Sequence, residues 1–138
     1  MGGLYLYCIR EKTESASSFA TKGIDKIGKV FIFPYRELEA VISDVSLDEF
    51  GSEEVQKKAQ EDPLWIREKA VIHENVIEEA MKKEDRILSL IPMRFGIIFK
   101  DKKSLEEKLS KDYPKIKSVL KNLKGKQEWS IKIYLKDK

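Results

Sequence analysis

The sequence has too few residues of several types to support whole classes of function. Its 138 residues include one cysteine and one histidine, so neither an intrachain disulfide nor the usual zinc site can form. No apolar run approaches the roughly 18 residues that a membrane-spanning helix needs. The N-terminus also lacks the basic region and long apolar stretch of a signal peptide. We therefore expect a cytoplasmic protein with no membrane partner, as is typical of chains with so little cysteine.

Charge and glycine usage exclude further classes. Lys and Arg total 27 against 24 Asp and Glu, a net charge of +3 that is too even to indicate nucleic-acid binding. The glycines are scattered, so no glycine-rich phosphate loop is present. With 41% hydrophobic residues, a chain of this length can bury one core. We expect a single domain over residues 1–138.

The pattern of apolar residues predicts a sheet of mainly antiparallel strands. The first strand is apolar at nearly every position, which indicates burial on both faces. The next two are separated by Pro34 and are predicted to form a hairpin. The predicted strands span residues 3–9, 29–33, 37–45, 91–99 and 127–135.

Capping residues and apolar stripes predict the helices. Ser46 and Ser104 each begin a capping-box spacing, and Asp62 followed by Pro63 is a strong helix start. Pro114 is expected to kink or restart the last helix.

The last predicted strand indicates how the layers are arranged. Trp129 and Ile131 alternate with Glu128, Ser130 and Lys132, so one face is expected to be buried and the other wet. This alternation is typical of a sheet with helices on a single side. We therefore predict an α+β two-layer sandwich, a modified ferredoxin-like fold with a mainly antiparallel sheet and helices on one face.

His73 is the residue with the most potential for chemistry. It falls near the centre of the apolar face of its predicted helix, beside Glu74. We interpret it as a neutral core histidine with a hydrogen-bond partner, and the alternative is a general base or ligand. Cys8 lies within an apolar strand, where a thiol is usually inert. Because no set of residues assembles an active site, we expect no catalysis, no metal and no cofactor.

Arg94 interrupts an otherwise apolar predicted strand. Its phase is opposite to that of Met93 and Phe95, so we expect it on the open face of the sheet, with Glu128 and Lys132 in the same phase. An Arg94–Glu128 cross-strand pair is predicted. It is either an ordinary surface pair or a polar spot used for docking.

Several motifs occur together in this chain. A His-Glu pair at positions 73 and 74 follows Trp65, and residues 91–99 are Ile-Pro-Met-Arg-Phe-Gly-Ile-Ile-Phe. Residues 125–132 hold a Gly-Lys-Gln-Glu-Trp motif, and the apolar segments 4–7 and 40–45 precede them all. Taken together and in this order, these residues resemble the gas vesicle protein GvpL/GvpF family over nearly the whole chain. The chain is expected to be either a short member or the N-terminal domain of a longer one.

The resemblance implies a ferredoxin-like fold and a role without catalysis. Proteins of that family are accessory or minor components in the assembly of gas vesicles, the hollow protein shells of buoyant prokaryotes. The resemblance implies binding to the small hydrophobic shell protein, limitation of its aggregation, contact with other gas vesicle accessory proteins, and a location at the gas vesicle. The residues expected to be structural are His73, Trp65, Phe95, Gly96 and Trp129.

Two alternatives stand beside this role. One is RNA recognition, in which Tyr5, Tyr7 and Tyr134 stack on bases exposed on the sheet. The other is a ligand-sensing module that uses His73. In the assembly hypothesis, the candidate residues for binding the shell protein are Tyr5, Tyr7, Arg94, Glu128, Lys132 and Tyr134.

Overall fold

The computed structural model describes residues 2–12, 19–83, 86–87 and 90–124. Within these ranges the chain forms seven strands and four helices. The strands are β1 (Gly2–Glu11), β2 (Val30–Tyr35), β3 (Leu38–Ser46), β4 (Lys82–Lys83), β5 (Arg86–Ile87), β6 (Leu90–Pro92) and β7 (Ile98–Phe99). The helices are α1 (Leu47–Phe50), α2 (Ser52–Glu61), α3 (Pro63–Met81) and α4 (Lys102–Lys124).

The main sheet is antiparallel and is centred on β1. Its strand order is β2-β3-β1-β6, and β7 pairs with β1 on the same side as β6. The predicted hairpin is present as β2 and β3, although β2 continues through Pro34, which pairs with Glu39. Proline is tolerated there because β2 lies at the edge of the described sheet. The predicted α+β class with a mainly antiparallel sheet is confirmed.

The two long helices begin at aspartates. The Asp62 carboxylate accepts a hydrogen bond from the Trp65 N–H (3.1 Å), as expected of an N-terminal cap. The second helix begins earlier than predicted, because the Asp101 carboxylate, rather than Ser104, supplies the cap by accepting the Ser104 N–H (2.8 Å). Helix α4 is continuous through Pro114, so no new helix starts at that residue.

The helices cover both faces of the sheet, which corrects the prediction that they lie on one face. Tyr5 and Tyr7 of β1 face α3, whereas Leu4 and Leu6 face α4 on the opposite side. The physical reason is that β1 is buried along nearly its whole length and needs apolar cover on both sides. The covering side chains are Val76, Ile77 and Ala80 of α3, and Leu105, Leu109, Ile116 and Leu120 of α4.

The strand predicted over residues 91–99 is not continuous. It is divided into β6 and β7, and the residues between them leave the ladder. The strand predicted over residues 127–135 lies outside the described residues.

Candidate functional site

The site centres on the interruption between β6 and β7. Residues 93–97, here called the Arg94 turn, stay attached to β1 at both ends. The Met93 N–H donates to the Tyr7 carbonyl (2.9 Å), and the Ile97 carbonyl accepts from the Leu6 N–H (2.9 Å). The three residues between these two bonds have no ladder partner in β1. Such interruptions are common where a strand must redirect a side chain.

Two buried side chains from other elements hold the Arg94 turn. Tyr5 of β1 is fully buried, and His73 of α3 is 5% exposed. The Tyr5 hydroxyl lies 2.8 Å from His73 Nδ1 and accepts the Gly96 N–H at 3.0 Å. His73 Nε2 lies 2.7 Å from the Met93 carbonyl oxygen. One strand and one helix therefore fix the two ends of the same turn.

The network specifies one protonation state of His73. Because a carbonyl oxygen only accepts, Nε2 must carry the proton that bonds Met93, and the Nδ1 of the neutral ring then accepts the Tyr5 O–H. Burial lowers the pKa of His73 below its ordinary value, while the Met93 carbonyl and Glu74 act in the opposite direction. Burial likewise raises the pKa of Tyr5, which keeps its hydroxyl protonated. Both ring nitrogens of His73 are already bonded, so neither is free to act as a base.

Aromatic rings close around this network. The half-buried Phe95 ring lies 5.9 Å from His73 and 6.1 Å from Tyr5, in edge-on arrangements that aromatic pairs favour. Gly96 follows with φ of +91°, a backbone conformation that side-chain-bearing residues rarely adopt. Three of the residues predicted to be structural, His73, Phe95 and Gly96, are thus neighbours in space.

A second tyrosine forms a parallel network that does not touch the turn with its side chain. The Tyr7 hydroxyl accepts the Ile24 N–H (2.8 Å) and bonds the Ser43 hydroxyl (2.7 Å). Burial raises the pKa of Tyr7 to about 12. Tyr5 and Tyr7 are therefore equally buried and similarly bonded, but only the Tyr5 hydroxyl holds the Arg94 turn.

The positions of the tyrosines correct two sequence predictions. Tyr5 and Tyr7 are both 0% exposed, so neither can contact the shell protein on an open sheet face or stack on an RNA base. The first strand is covered on both faces, and the sequence signal for this was its unbroken apolar character. Sequence reasoning missed the role of Tyr5, although a hydroxyl in such a strand requires a buried partner.

Arg94 is exposed, but it lies in a turn and not in a strand facing the open sheet as predicted. No hydrogen bond or ion pair joins it to another residue in the described ranges. The predicted Arg94–Glu128 pair stays a prediction, because its partner lies beyond residue 124. The other predicted residues outside the described ranges are Trp129, Lys132 and Tyr134.

Trp65, also predicted to be structural, packs at the junction of α1, α2 and α3. Its ring lies 5.6 Å from Phe50, with the ammonium groups of Lys58 and Lys69 at 5.4 and 5.8 Å. Cation–π contacts of this kind stabilise the position of the ring in addition to the stabilisation from its burial. Lys69 is itself 5% exposed and also contacts Phe50, so the cluster joins the three helices at one end of α3.

Neither a metal-binding cluster nor a membrane-spanning helix is present in the described part of the chain. Residues 2–12, 19–83, 86–87 and 90–124 contain no group of three or more His, Cys, Asp or Glu side chains placed to hold a metal ion. None of the helices in those ranges is both long and apolar enough to cross a membrane. Burial raises the pKa of the Cys8 thiol to about 12, so it is protonated at neutral pH.

Comparison with known proteins gives consistent relatives. Gas vesicle protein F1 of Halobacterium salinarum is 28% identical over 130 residues, which cover 94% of this chain and 54% of that protein. Gas vesicle protein F of Nostoc sp. is 33% identical over 76 residues, covering 54% of this chain and 30% of that protein. The chain spans about half the length of the halobacterial relative.

A solved structure and a family profile complete the comparison. The crystal structure of the gas vesicle protein GvpF from Anabaena sp. PCC7120 matches 89% of this chain and 44% of that chain, with a TM-score of 0.66 and 21% identity. At this identity the match shows a shared fold. The profile of the gas vesicle synthesis protein GvpL/GvpF family matches residues 3–138. This chain therefore belongs to the gas vesicle synthesis protein GvpL/GvpF family.

Proposed function

We propose that this protein is a non-catalytic accessory or minor structural component of gas vesicle assembly. In this role it binds the small hydrophobic shell protein, limits its premature aggregation and acts in the cytoplasm and at the gas vesicle. The single observation that supports the proposal is the family match over residues 3–138. Other gas vesicle accessory proteins are further proposed partners.

The physical reason for such a helper lies in the chemistry of the shell protein. A protein that polymerises by burying apolar faces exposes those faces while it is monomeric, and exposed apolar patches aggregate. A helper that covers them needs a surface with both apolar and charged groups. The described chain offers exposed apolar side chains at Ile27 (80%) and Leu64 (74%), and an exposed guanidinium at Arg94.

The set of candidate residues for binding the shell protein becomes smaller. Tyr5 and Tyr7 are withdrawn because they are buried. Arg94 is retained as the candidate within the described residues, on a turn rather than on a strand. Glu128, Lys132 and Tyr134 remain proposed contacts.

Co-purification with the shell protein tests the proposal. The tagged chain is co-expressed with the small shell protein, and the shell protein recovered with it is quantified against a tag-only control. We expect recovery well above that control. If the wild-type chain recovers none, it is not the shell-binding unit, and the proposal fails for this chain.

A further inference from the structure

The Arg94 turn has an exposed charge on a segment that the core holds in one position. Arg94 is the only charged residue among positions 90–99, and it has no hydrogen-bond or ion-pair partner in the described ranges. A continuous edge strand would have kept these residues in the ladder. Instead the ladder breaks here and resumes at β7.

The conformation of the Arg94 turn depends on buried polar groups. The Gly96 N–H and the Met93 carbonyl are satisfied by Tyr5 and His73, which lie on β1 and α3. Burying two such side chains under an apolar sheet is unfavourable unless every polar atom is paired. Here every one of these atoms is paired, so the network favours this single geometry of the turn.

We propose that the Arg94 turn is a recognition turn: Arg94 binds a carboxylate of the partner protein, and Tyr5 and His73 are the positioning residues that fix the backbone of the turn at Gly96 and Met93. This rests on the proposed function, in which the partner is the shell protein. The planar guanidinium donates two parallel hydrogen bonds to a carboxylate, which gives both affinity and orientation. The turn itself, residues 93–97, carries this one cation, which suits a single carboxylate.

The first experiment tests the charge. Labelled shell protein kept monomeric in mild detergent is titrated with wild-type chain, Arg94→Ala, Arg94→Lys and a control, Arg67→Ala, which removes an exposed arginine on α3. We expect Arg94→Ala to weaken binding about tenfold or more, the loss typical of a residue that dominates an interface. Arg94→Lys should restore part of the affinity, since it keeps the charge without the planar pair of donors. Arg67→Ala should bind as wild type does.

The second experiment separates positioning from general stability. Tyr5→Phe and Tyr7→Phe each remove one buried hydroxyl from β1, and each leaves a backbone N–H without its acceptor. We expect similar losses of stability from both. Only Tyr5→Phe should weaken binding of the shell protein, and it should also speed hydrogen exchange at the Gly96 amide. When Arg94 is already alanine, adding Tyr5→Phe should weaken binding little further.

The outcomes distinguish the two proposals. Equal weakening by Tyr5→Phe and Tyr7→Phe would refute the positioning role. Unchanged binding by Arg94→Ala would refute the recognition turn but leave the proposed function standing, whereas no binding by the wild-type chain refutes both. Arg94-dependent binding of a mixed-sequence RNA oligonucleotide would overturn the carboxylate assignment. If Tyr5→Phe does not fold, Gly96→Ala replaces it, because a Cβ has space there and only the positive φ is strained.

Discussion

Replacing His73 with alanine should destabilise the protein strongly, because its ring is bonded at both nitrogens within the core. The substitution leaves the Met93 carbonyl without a donor and the Tyr5 O–H without an acceptor. Each buried group left unsatisfied costs about 1–3 kcal/mol. Each lost ring contact, with Tyr5, Tyr7 and Phe95, adds a loss of stability of up to about 1.5 kcal/mol. We expect a loss of about 3 kcal/mol or more, which is a large share of a typical total of about 5–15 kcal/mol.

Urea unfolding followed by far-UV circular dichroism measures this loss. With a slope of about 1–3 kcal/mol per molar urea, a loss of 3 kcal/mol lowers the midpoint by roughly 1–3 M. Asn75→Ala, an exposed change two positions along the same helix, is the matched control and should stay within about 0.5 kcal/mol of wild type. If His73→Ala and Asn75→Ala unfold at the same midpoint, His73 does not hold the core as described here.

The lowered pKa of His73 also makes the stability of the protein depend on pH. Burial lowers the pKa of His73 in the folded state below its ordinary value near 6.5. The unfolded chain therefore takes up the proton at a higher pH than the folded chain does, and acidification favours unfolding. Stability should be constant above about pH 7 and fall as the pH drops below about 6.5. Since the chain has one histidine, His73→Gln should flatten the curve between about pH 7 and 5.5.

Three further predictions concern the core and the partner class. Cys8, whose thiol pKa burial raises to about 12, should react with a thiol reagent at pH 8 only as fast as the protein opens, and rapid labelling of the native chain would contradict its burial. Leu109→Ala should cost about 2–5 kcal/mol in urea unfolding, whereas Val119→Ala, at an exposed position of the same helix, should cost far less; equal costs would mean that α4 does not pack through Leu109. Fluorescence polarisation should detect no binding of a mixed-sequence single-stranded RNA at physiological salt, and a salt-dependent signal would favour the RNA alternative.

The local features of the fold were predictable because they are encoded by neighbouring residues. The Asp62-Pro63 pair predicted the start of α3, and a carboxylate cap is present there. The apolar stripe predicted which face of α3 would be buried, including the position of His73. The unbroken apolar character of residues 3–9 also predicted a strand buried on both faces. That last signal requires helices on both sides, and it outweighs the alternation in residues 127–135 from which a single covered face was inferred.

The candidate site was less predictable because its contacts join distant residues. The alternation in residues 91–99 favours a continuous strand. In the structure this strand is interrupted where Tyr5 bonds the Gly96 N–H, 91 positions away, and where His73 bonds the Met93 carbonyl, 20 positions away. No local pattern indicates that a tyrosine hydroxyl will replace a ladder partner. Pro92 and Gly96 were the local signals of an interruption, since proline and glycine inside a strand often mark one, and Gly96 has a positive φ in the structure.

Aggregation of the shell protein is the most direct test of the central claim. Shell protein diluted from denaturant into buffer is followed by light scattering, alone and with increasing amounts of this chain, with an unrelated protein of similar size and charge as the control. The account predicts that scattering falls in proportion to the added chain until the two are near equimolar, and that the control has no such effect. Scattering that is equally high with the chain and with the control would contradict the claim that this protein limits aggregation of the shell protein.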